Sequence, residues 1–281
     1  MLGMDGKTIQ LDFPVIDAHV HLYPDFLAKR VTPDLAGRFG NTPSFDGTMD
    51  GCVARHATCG IWASLNLPVA TKPESVFRTN RFWHEAVDLR AKDGIRSLAS
   101  FHPRLDDPQA ELAHIVQCGF AGIKLHPEYQ QFGFNDSSMD DVWAALSDLG
   151  LVAYLHAGGE RVFPGPYRSN PSEIARLQRR FPRLKIVAAH LGGFGMWDQA
   201  EAVLTGTDVY LDLSHTFFWM PKEQIFRMIR KHGAGRILFG SDAPWQDAGK
   251  VLEEFLSLPL GRDEQSAICY GNAAKLFGIV P

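Results

Sequence analysis

Short runs of apolar, β-type residues recur along the chain at intervals of about 25 to 45 residues. Most of these runs are separated by longer segments in which apolar residues recur every three or four positions, as on one face of a helix. Some runs, such as residues 185–189, are apolar on both faces, which is typical of parallel strands buried beneath helices. The pattern predicts eight strands: 13–19, 61–66, 97–102, 121–126, 152–156, 186–190, 209–214 and 237–242.

The segments between the strands carry residues that begin and end helices. Residues 74–92 form a long amphipathic stretch, and the cap-type residues 136–140 precede a second helix that ends at Gly150. Pro171 and Pro221 each lie where a first helical turn tolerates proline. Residues 264–277 predict a C-terminal helix. The region 27–44 has no clear pattern, and we expect a short helix and a loop there, a candidate lid.

This alternation favours one architecture. Eight strands separated by helices, without a Ser/Gly-rich linker or a break in composition, predict an α/β protein with a single (β/α)₈ barrel domain over residues 1–281. A doubly wound open sheet is the alternative. That fold usually has a Gly-rich phosphate-binding turn after its first strand, whereas this chain continues with His-Leu-Tyr-Pro at residues 21–24.

Composition narrows the classes of function. The 281 residues contain 28 Lys and Arg against 32 Asp and Glu, so the chain lacks the basic character of a nucleic-acid-binding protein. No basic cluster predicts membrane binding, and residues 1–10 do not resemble a secretory signal. The four scattered cysteines predict reduced thiols. We therefore expect a cytoplasmic protein that acts on a small molecule.

Histidines are concentrated at the ends of the predicted strands, where parallel barrels place their active-site residues. His19 and His21 are two residues apart on the first strand, so both side chains face the same side. His156 and Asp242 end two other strands, and imidazoles combined with a carboxylate suit a divalent metal ion. We predict that His19, His21, His156 and Asp242 bind the ion. Zinc is the favoured metal, with manganese or iron as alternatives.

His190 and Asp242 are the candidates for acid–base chemistry. His190 either binds the metal or remains unligated as an acid or base beside it. The second role is favoured, because three histidines and one aspartate already complete a site with one position open for water. Asp242 has two predicted roles, since a carboxylate next to a metal-bound water can accept its proton. Asp17 is a candidate for orienting an imidazole.

Several further residues are candidates for binding the substrate or a second metal ion. Lys124 and His126 are two residues apart on one predicted strand, so their side chains face the same side and both can point inward. Lys124 is interpreted as a buried amine paired with a carboxylate, or alternatively as a carboxylated lysine between two metal ions. His102 and His126 each precede a proline, and fixing a turn is an equal alternative for them. Trp219 and Trp245 predict an aromatic pocket wall, or equally a cover for the barrel mouth.

Six motifs together resemble those of the amidohydrolase superfamily, and more closely its branch related to aminocarboxymuconate-semialdehyde decarboxylase. They are Ile-Asp-Ala-His-Val-His at 16–21, Gly-Ile-Lys-Leu-His-Pro at 122–127, Leu-His at 155–156, Ala-His-Leu-Gly-Gly at 189–193, Leu-Phe-Gly-Ser-Asp-Ala-Pro at 238–244 and the closing segment 270–278. The resemblance implies a distorted (β/α)₈ barrel and a homodimer. It also implies metal binding by His19, His21, His156 and Asp242, with His190 acting on water or substrate.

Two reactions remain open. In the favoured interpretation, the protein is a metal-dependent hydrolase in which an activated metal-bound water attacks a small amide, ester or lactone. In the alternative, it is a metal-dependent decarboxylase of an aromatic or unsaturated acid. Decarboxylation requires a cation near the departing carboxylate, for which Arg55, Arg161 and Arg168 are candidates. A non-catalytic metal-binding protein is a third and weaker interpretation.

Overall fold

The structure is a computed structural model that describes residues 11–280. The segment compared with a secretory signal, residues 1–10, lies outside the described residues, so the single-domain organisation of the whole chain stays a prediction. The described part contains nine strands: β1 Ile16–Val20, β2 Ala63–Asn66, β3 Ile95–Ser97, β4 Ala99–Ser100, β5 Gly122–Leu125, β6 Val152–Leu155, β7 Lys185–Ala188, β8 Tyr210–Asp212 and β9 Ile237–Leu238.

The strands form a (β/α)₈ barrel. Strands β1-β2-β3 make one parallel sheet and β4 to β9 make a second one in sequence order. β3 and β4 are one barrel strand interrupted at Leu98. The cylinder closes where Ala18 N–H donates to Phe239 O at 2.9 Å and Asp242 N–H donates to His19 O at 2.8 Å. Each of the eight predicted strands is present, most of them shorter than expected.

Helices surround the barrel. Their bounds are α1 Asp25–Phe39, α2 Met49–Cys59, α3 Val76–Arg90, α4 Pro108–Gln117, α5 Pro127–Gln130, α6 Asp140–Leu149, α7 Pro171–Arg180, α8 Trp197–Val203, α9 Lys222–His232, α10 Ala248–Leu256, α11 Arg262–Ser266 and α12 Asn272–Phe277. No helix within residues 11–280 is long and apolar enough to span a bilayer.

Local sequence explains where several helices begin and end. Asn170 accepts a hydrogen bond from Glu173 N–H at the start of α7, as an N-cap residue does. Gly150 ends α6 at a φ of 68°, in the left-handed region that favours glycine. The predicted C-terminal helix is interrupted by a π-helical segment, Ala267–Gly271.

The region after the first strand differs from the expectation. Residues 25–39 form the 15-residue helix α1 rather than a short helix, although Pro33 lies inside it. Proline removes one helical hydrogen bond, but the rest of α1 continues on both sides of Pro33. The second helix in this region, α2, was not predicted, although Thr48 caps its first turn by accepting from Gly51 N–H.

The apolar core has two parts. The larger cluster fills the space between the strands and the surrounding helices, and includes Ile123, Ile186 and Trp143, all fully buried. A smaller cluster joins Tyr154 and Val187 to the C-terminal helix α12. Both parts hold the strands rigidly, so the side chains at the strand ends have fixed positions.

Candidate active site

The carboxyl ends of the strands open into a cavity of about 910 Å³. We define the cavity floor as five predicted residues that line it, mostly buried: His19, His21, Lys124, His190 and Asp242. Four further predicted residues line the same cavity: His126, His156, Arg161 and Trp245. Most of the candidates at predicted strand ends therefore lie in one cavity.

His19, His21 and Asp242 form the tightest group in the cavity floor. Asp242 Oδ1 lies 3.3 Å from His19 Nε2 and 3.1 Å from His21 Nε2, and the two Nε2 atoms are 3.3 Å apart. Ligands that share one ion at bonds of about 2.0–2.2 Å lie roughly 3.0–3.5 Å from one another. The three atoms therefore have the spacing of ligands around one divalent cation.

The hydrogen bonds of the two imidazoles decide which atoms face this point. His19 Nδ1 is 2.8 Å from an Asp212 carboxylate oxygen, and His21 Nδ1 is 3.1 Å from Leu67 O. Both partners can only accept, so each neutral imidazole donates through Nδ1 and keeps a lone pair on Nε2. Asp242 Oδ1 is buried without a hydrogen-bond partner. Three acceptors thus converge with no proton between them, an arrangement that a bound cation would stabilise.

Electrostatics keep this group ready to bind a cation. Burial alone would raise the pKa of Asp242, but His19 and His215 lower it well below its usual value. Burial lowers the pKa of His19, so its imidazole is neutral near pH 7. A charged carboxylate and neutral imidazoles are the protonation states that metal ligands require.

Asp212 holds several of these residues in place. Its carboxylate accepts from Tyr154 Oη at 2.5 Å and from the backbone N–H of His190 at 2.9 Å, in addition to His19 Nδ1 and the Ser214 hydroxyl. It is fully buried. Asp17, a candidate for orienting an imidazole, accepts from the backbone N–H of His19 at 3.2 Å and from Ser241, and its carboxylate lies 3.6 Å from His56 Nε2. The carboxylate that contacts Nδ1 of the His19 ring is that of Asp212.

His190 and His156 lie beside the tight group. His190 Nε2 is 3.2 Å from His156 Nδ1, and His190 Nδ1 is 2.8 Å from Ser214 Oγ. His156 Nε2 lies 3.1 Å from Gly159 O. Among the possible metal-binding groups within residues 11–280, His156 belongs to one with His126 and Glu160, and not to the group of His19. Its predicted role as a ligand stays a prediction.

The group of His126, His156 and Glu160 is poorly arranged for a second metal ion. The rings of His126 and His156 are stacked, with centroids 3.9 Å apart and planes within 9° of parallel. Imidazole lone pairs lie in the ring plane, so two stacked rings do not direct them at one point between the planes. Glu160 lies 3.3 Å from His126 Nε2. The arrangement suits hydrogen bonds to a ligand better than a second ion.

Lys124 is the buried cation of the cavity floor. Its side chain is 1% exposed, and its Nζ lies 5.0 Å from the centre of the Tyr154 ring. The ion pairs within 4.0 Å found among the described residues do not include Lys124, in contrast to the carboxylate partner expected from the sequence. Burial lowers the pKa of Lys124 to about 8, so the amine is still mostly charged at neutral pH.

His215 contacts the second carboxylate oxygen of Asp242. Its Nδ1 lies 2.6 Å from Asp242 Oδ2. His190, His215 and Asp242 adopt positive φ values of 58°, 51° and 68°, which side chains other than glycine rarely do. Backbone strain of this kind persists where the surrounding structure imposes it, and it often marks a functional site.

Four candidates lie away from the cavity lining in the described part of the chain. His102 accepts a hydrogen bond from Arg104 N–H at 3.1 Å, which fits its alternative interpretation as a turn-fixing residue. The backbone N–H of Arg168 donates to Glu128, and Arg55 is paired with Asp247 at 2.5 Å. Trp219 stacks on His215 outside the lining, with the Arg161 guanidinium 5.2 Å from its ring centre.

Sequence reasoning missed other residues of the site. Asp212 and Tyr154 each lie two residues before a strand end predicted from the sequence, at residues 214 and 156, so their side chains face the same side as those end residues. Arg30 and Arg38 on α1 and Arg78 on α3 also line the cavity. No sequence rule pointed to these arginines, because they are not at strand ends.

Comparison with known proteins gives a consistent result. Residues 16–279 match the sequence profile of a family described as amidohydrolase. A gamma-resorcylate decarboxylase from Polaromonas sp. is 23% identical over 271 aligned positions, covering 76% of this chain and 81% of that protein.

Solved structures share the fold. The 5-carboxyvanillate decarboxylase of Novosphingobium aromaticivorans, crystallised with manganese and 4-hydroxy-3-methoxy-5-nitrobenzoic acid, has a TM-score of 0.72 at 15% identity and covers 95% of this chain and 97% of its own. A probable 2-pyrone-4,6-dicarboxylic acid hydrolase from Acinetobacter baumannii, with citric acid bound, has a TM-score of 0.67 at 16% identity, covering 94% and 99%. At these identities the likeness is one of fold.

Proposed function

This chain belongs to the amidohydrolase family, and from that premise we propose that it is a metal-dependent decarboxylase of an aromatic or unsaturated carboxylic acid. The observation that carries the proposal is the convergence of His19 Nε2, His21 Nε2 and the unpartnered Asp242 Oδ1 beside the buried cation Lys124. Two of the three relatives named above are decarboxylases, which supports decarboxylation over hydrolysis, the reaction that the sequence alone favoured.

His19, His21 and Asp242 would hold the ion. Two imidazoles and one carboxylate are a donor set that suits zinc, iron or manganese and leaves positions open for a substrate. Zinc stays the prediction from the sequence, while manganese is the metal in the 5-carboxyvanillate decarboxylase structure. When bound, the ion supplies a Lewis acid that polarises oxygen atoms of the substrate.

The residues of the chain would supply the rest of the reaction. The carbon–carboxylate bond breaks, its electron pair stays on the substrate carbon, that carbon takes up a proton, and carbon dioxide leaves. Lys124 lies where its charge can orient the carboxylate before it departs. Leu67, Phe194 and Trp245 line the cavity and limit the water around that carboxylate, which favours its loss as a neutral molecule.

His190 is the proposed proton relay. Burial and the neighbouring His156 lower its pKa well below its usual value, so the neutral ring would pass a proton to the substrate carbon while it takes one up from solvent. His190 is 4% exposed, lines the cavity and touches His156 and Ser214 on its two sides. Its ring is held by these contacts and by the backbone hydrogen bond to Asp212, so the proton is delivered from a fixed position. Decarboxylation takes no proton from water at the ion, so the second role predicted for Asp242 applies only to the hydrolysis considered below.

A direct assay separates the two reactions. The metal-loaded protein is incubated with a panel of hydroxylated benzoates, lactones and amides, and both carbon dioxide and new acid groups are measured. We expect carbon dioxide from at least one acid, with loss of that activity in Lys124→Met, whose side chain has a similar length and no charge. Acid release from a lactone or amide without carbon dioxide from any acid would contradict the proposal.

Hydrolysis is the second candidate function. The fold of the probable 2-pyrone-4,6-dicarboxylic acid hydrolase is similar, and the same floor could activate water for attack on a lactone. In that reaction, Asp242 or His190 would take the proton from water, and Lys124 would be less important than in decarboxylation. The Lys124→Met variant therefore also distinguishes the two candidates.

A further inference from the structure

The charge of the cavity lining differs from that of the whole chain. The chain has a formal net charge of −4. The cavity lining instead contains five cationic side chains, Arg30, Arg38, Arg78, Lys124 and Arg161, against two carboxylates, Glu160 and Asp242. A concave surface lined by one sign of charge concentrates the opposite charge. The cavity is therefore built to receive an anion.

The four arginines of the cavity lining are exposed, in contrast to the buried Lys124, and we call them the cavity mouth. Arg30 and Arg38 lie on α1, Arg78 lies on α3, and Arg161 lies in the loop after β6. Within residues 11–280, only Arg38 among these four has a carboxylate within 4.0 Å, at 3.1 Å from the exposed Asp34. Most of the charge at the mouth is thus not neutralised by the protein itself.

The cavity floor already contains what one carboxylate requires. Lys124 is buried there beside the group of His19, His21 and Asp242, while the mouth is formed by other elements of the fold. A substrate with one carboxylate would leave the arginines of the mouth without an anionic partner. A cavity of about 910 Å³ also lies near the upper end of the usual range for small-molecule sites, so a ligand can reach both ends.

The wall between the two ends offers one further polar group. Tyr129 lines the cavity, and its hydroxyl is buried without a hydrogen-bond partner among the described residues. Its ring packs edge-on against His126, at 4.4 Å between centroids. A buried hydroxyl without a partner costs free energy unless a ligand or water bonds to it.

We propose that the substrate carries a second anionic group, which the arginines of the cavity mouth bind while its reacting carboxylate lies at the floor. The second group is a carboxylate or a phosphate, since guanidinium groups pair well with both. This inference rests on the proposed function only in assigning the first carboxylate to the floor.

Calorimetric titration of the metal-loaded protein tests the inference without turnover. The probes are benzoate, isophthalate and 3-phosphonobenzoate, together with biphenyl-4-carboxylate and its 4′-carboxylate and 4′-phosphonate derivatives for a longer span. The mouth variant, Arg30→Gln/Arg38→Gln/Arg78→Gln, replaces the three arginines of the mouth that lie on helices and retains Arg161. Its matched control, Lys29→Gln/Lys72→Gln/Arg81→Gln, removes the same charge from neighbouring positions outside the cavity lining.

In the benzoate series, the biphenyl series or both, we expect the parent to bind a probe with two anionic groups roughly tenfold or more tightly than the probe with one carboxylate. The mouth variant should lose that preference and bind the monoanion within about twofold of the parent, and the control should retain it. The second anionic group that increases the affinity more, carboxylate or phosphonate, identifies the group that the mouth binds. The inference would be overturned if the parent bound probes with one and with two anionic groups equally well. It would also be overturned if the control variant lost the preference as fully as the mouth variant. Selectivity without carbon dioxide production would contradict the proposed function alone.

Discussion

The floor and the mouth of the cavity are built in opposite ways. The floor consists of side chains at strand ends, mostly buried and fixed by hydrogen bonds to Asp212, Leu67 and Ser214. The mouth consists of exposed arginines on two helices and a loop, most of them without an ionic partner in the described structure. Rigid, desolvated groups suit bond breaking, whereas exposed charges suit capture and selection of a substrate.

This difference predicts how the two regions respond to change. Floor residues are buried and hydrogen-bonded to one another, so replacing one should cause a large loss of metal binding, of turnover or of both. Mouth residues act as separate, solvent-screened charges, so replacing one should have a small effect and several should add.

The largest effect is expected from His19→Ala. It removes one of the three converging donors and should reduce bound metal from about one ion per chain to nearly none, with loss of turnover. Metal analysis of protein purified without a polyhistidine tag measures this directly. His114→Ala, which removes a histidine outside the cavity lining, is the control and should keep the ion. A metal-free parent would count against the floor as a metal site.

His190→Asn should separate chemistry from metal binding. The substitution removes the proposed proton relay, and we expect turnover to fall by about 10²–10⁴-fold while metal content stays near that of the parent. Rates under saturating substrate and metal content are measured on the same preparation. If the ion is lost as well, His190 is a ligand, which was the other interpretation from the sequence.

Asp212→Asn tests whether the hydrogen bond from His19 to Asp212 positions His19 for metal binding. An amide can donate to His19 Nδ1 as well as accept from it, so the imidazole would no longer be held in one tautomer. Metal affinity should fall by about 10–100-fold. Tyr154→Phe removes a different partner of Asp212 and leaves the contact with His19, so it should have a smaller effect. Equal affinity in Asp212→Asn and the parent would show that Asp212 does not position the ligand.

Protonation of His56, a buried residue of α2 whose Nδ1 lies 2.7 Å from Ser64 Oγ, should destabilise the fold in acid, whereas the arginines of the mouth should not respond to pH. Burial lowers the pKa of His56 from 6.5 to about 4. The unfolded chain therefore binds more protons between these values, so the stabilisation is complete above pH 6.5 and is lost as pH falls toward 4. At about 1.4 kcal/mol per pH unit, the loss from pH 6.5 to 5 is about 2 kcal/mol.

Urea unfolding at pH 7.5, 6.5 and 5 measures that loss. Compared with the parent, His56→Gln should show about 2 kcal/mol less destabilisation between pH 6.5 and 5. Asp17, whose pKa burial raises to about 7, contributes the opposite trend to both proteins. Arg78→Gln is the control from the mouth and should keep the slope of the parent, because a guanidinium remains charged throughout this range. An unchanged slope in His56→Gln would mean that His56 is protonated normally in the folded protein.

The same contrast explains what the sequence could predict. Strand periodicity and strand-end parity identified the barrel and most floor residues, because both depend on local repeats that the sequence contains directly. Asp212 lies two residues before the predicted strand end at residue 214 and was overlooked, although it is the last residue of β8 in the structure. The arginines of the mouth depend on how α1 and α3 pack over the barrel, and no local pattern encodes that packing. The ligand role of His156 and the homodimer stay predictions.

The central claim is that one divalent cation binds between His19, His21 and Asp242. Anomalous diffraction from crystals grown with manganese tests it most directly. We predict a single strong peak about 2.0–2.3 Å from His19 Nε2, His21 Nε2 and an Asp242 oxygen. A peak elsewhere in the cavity, or none at full manganese saturation, would contradict the account.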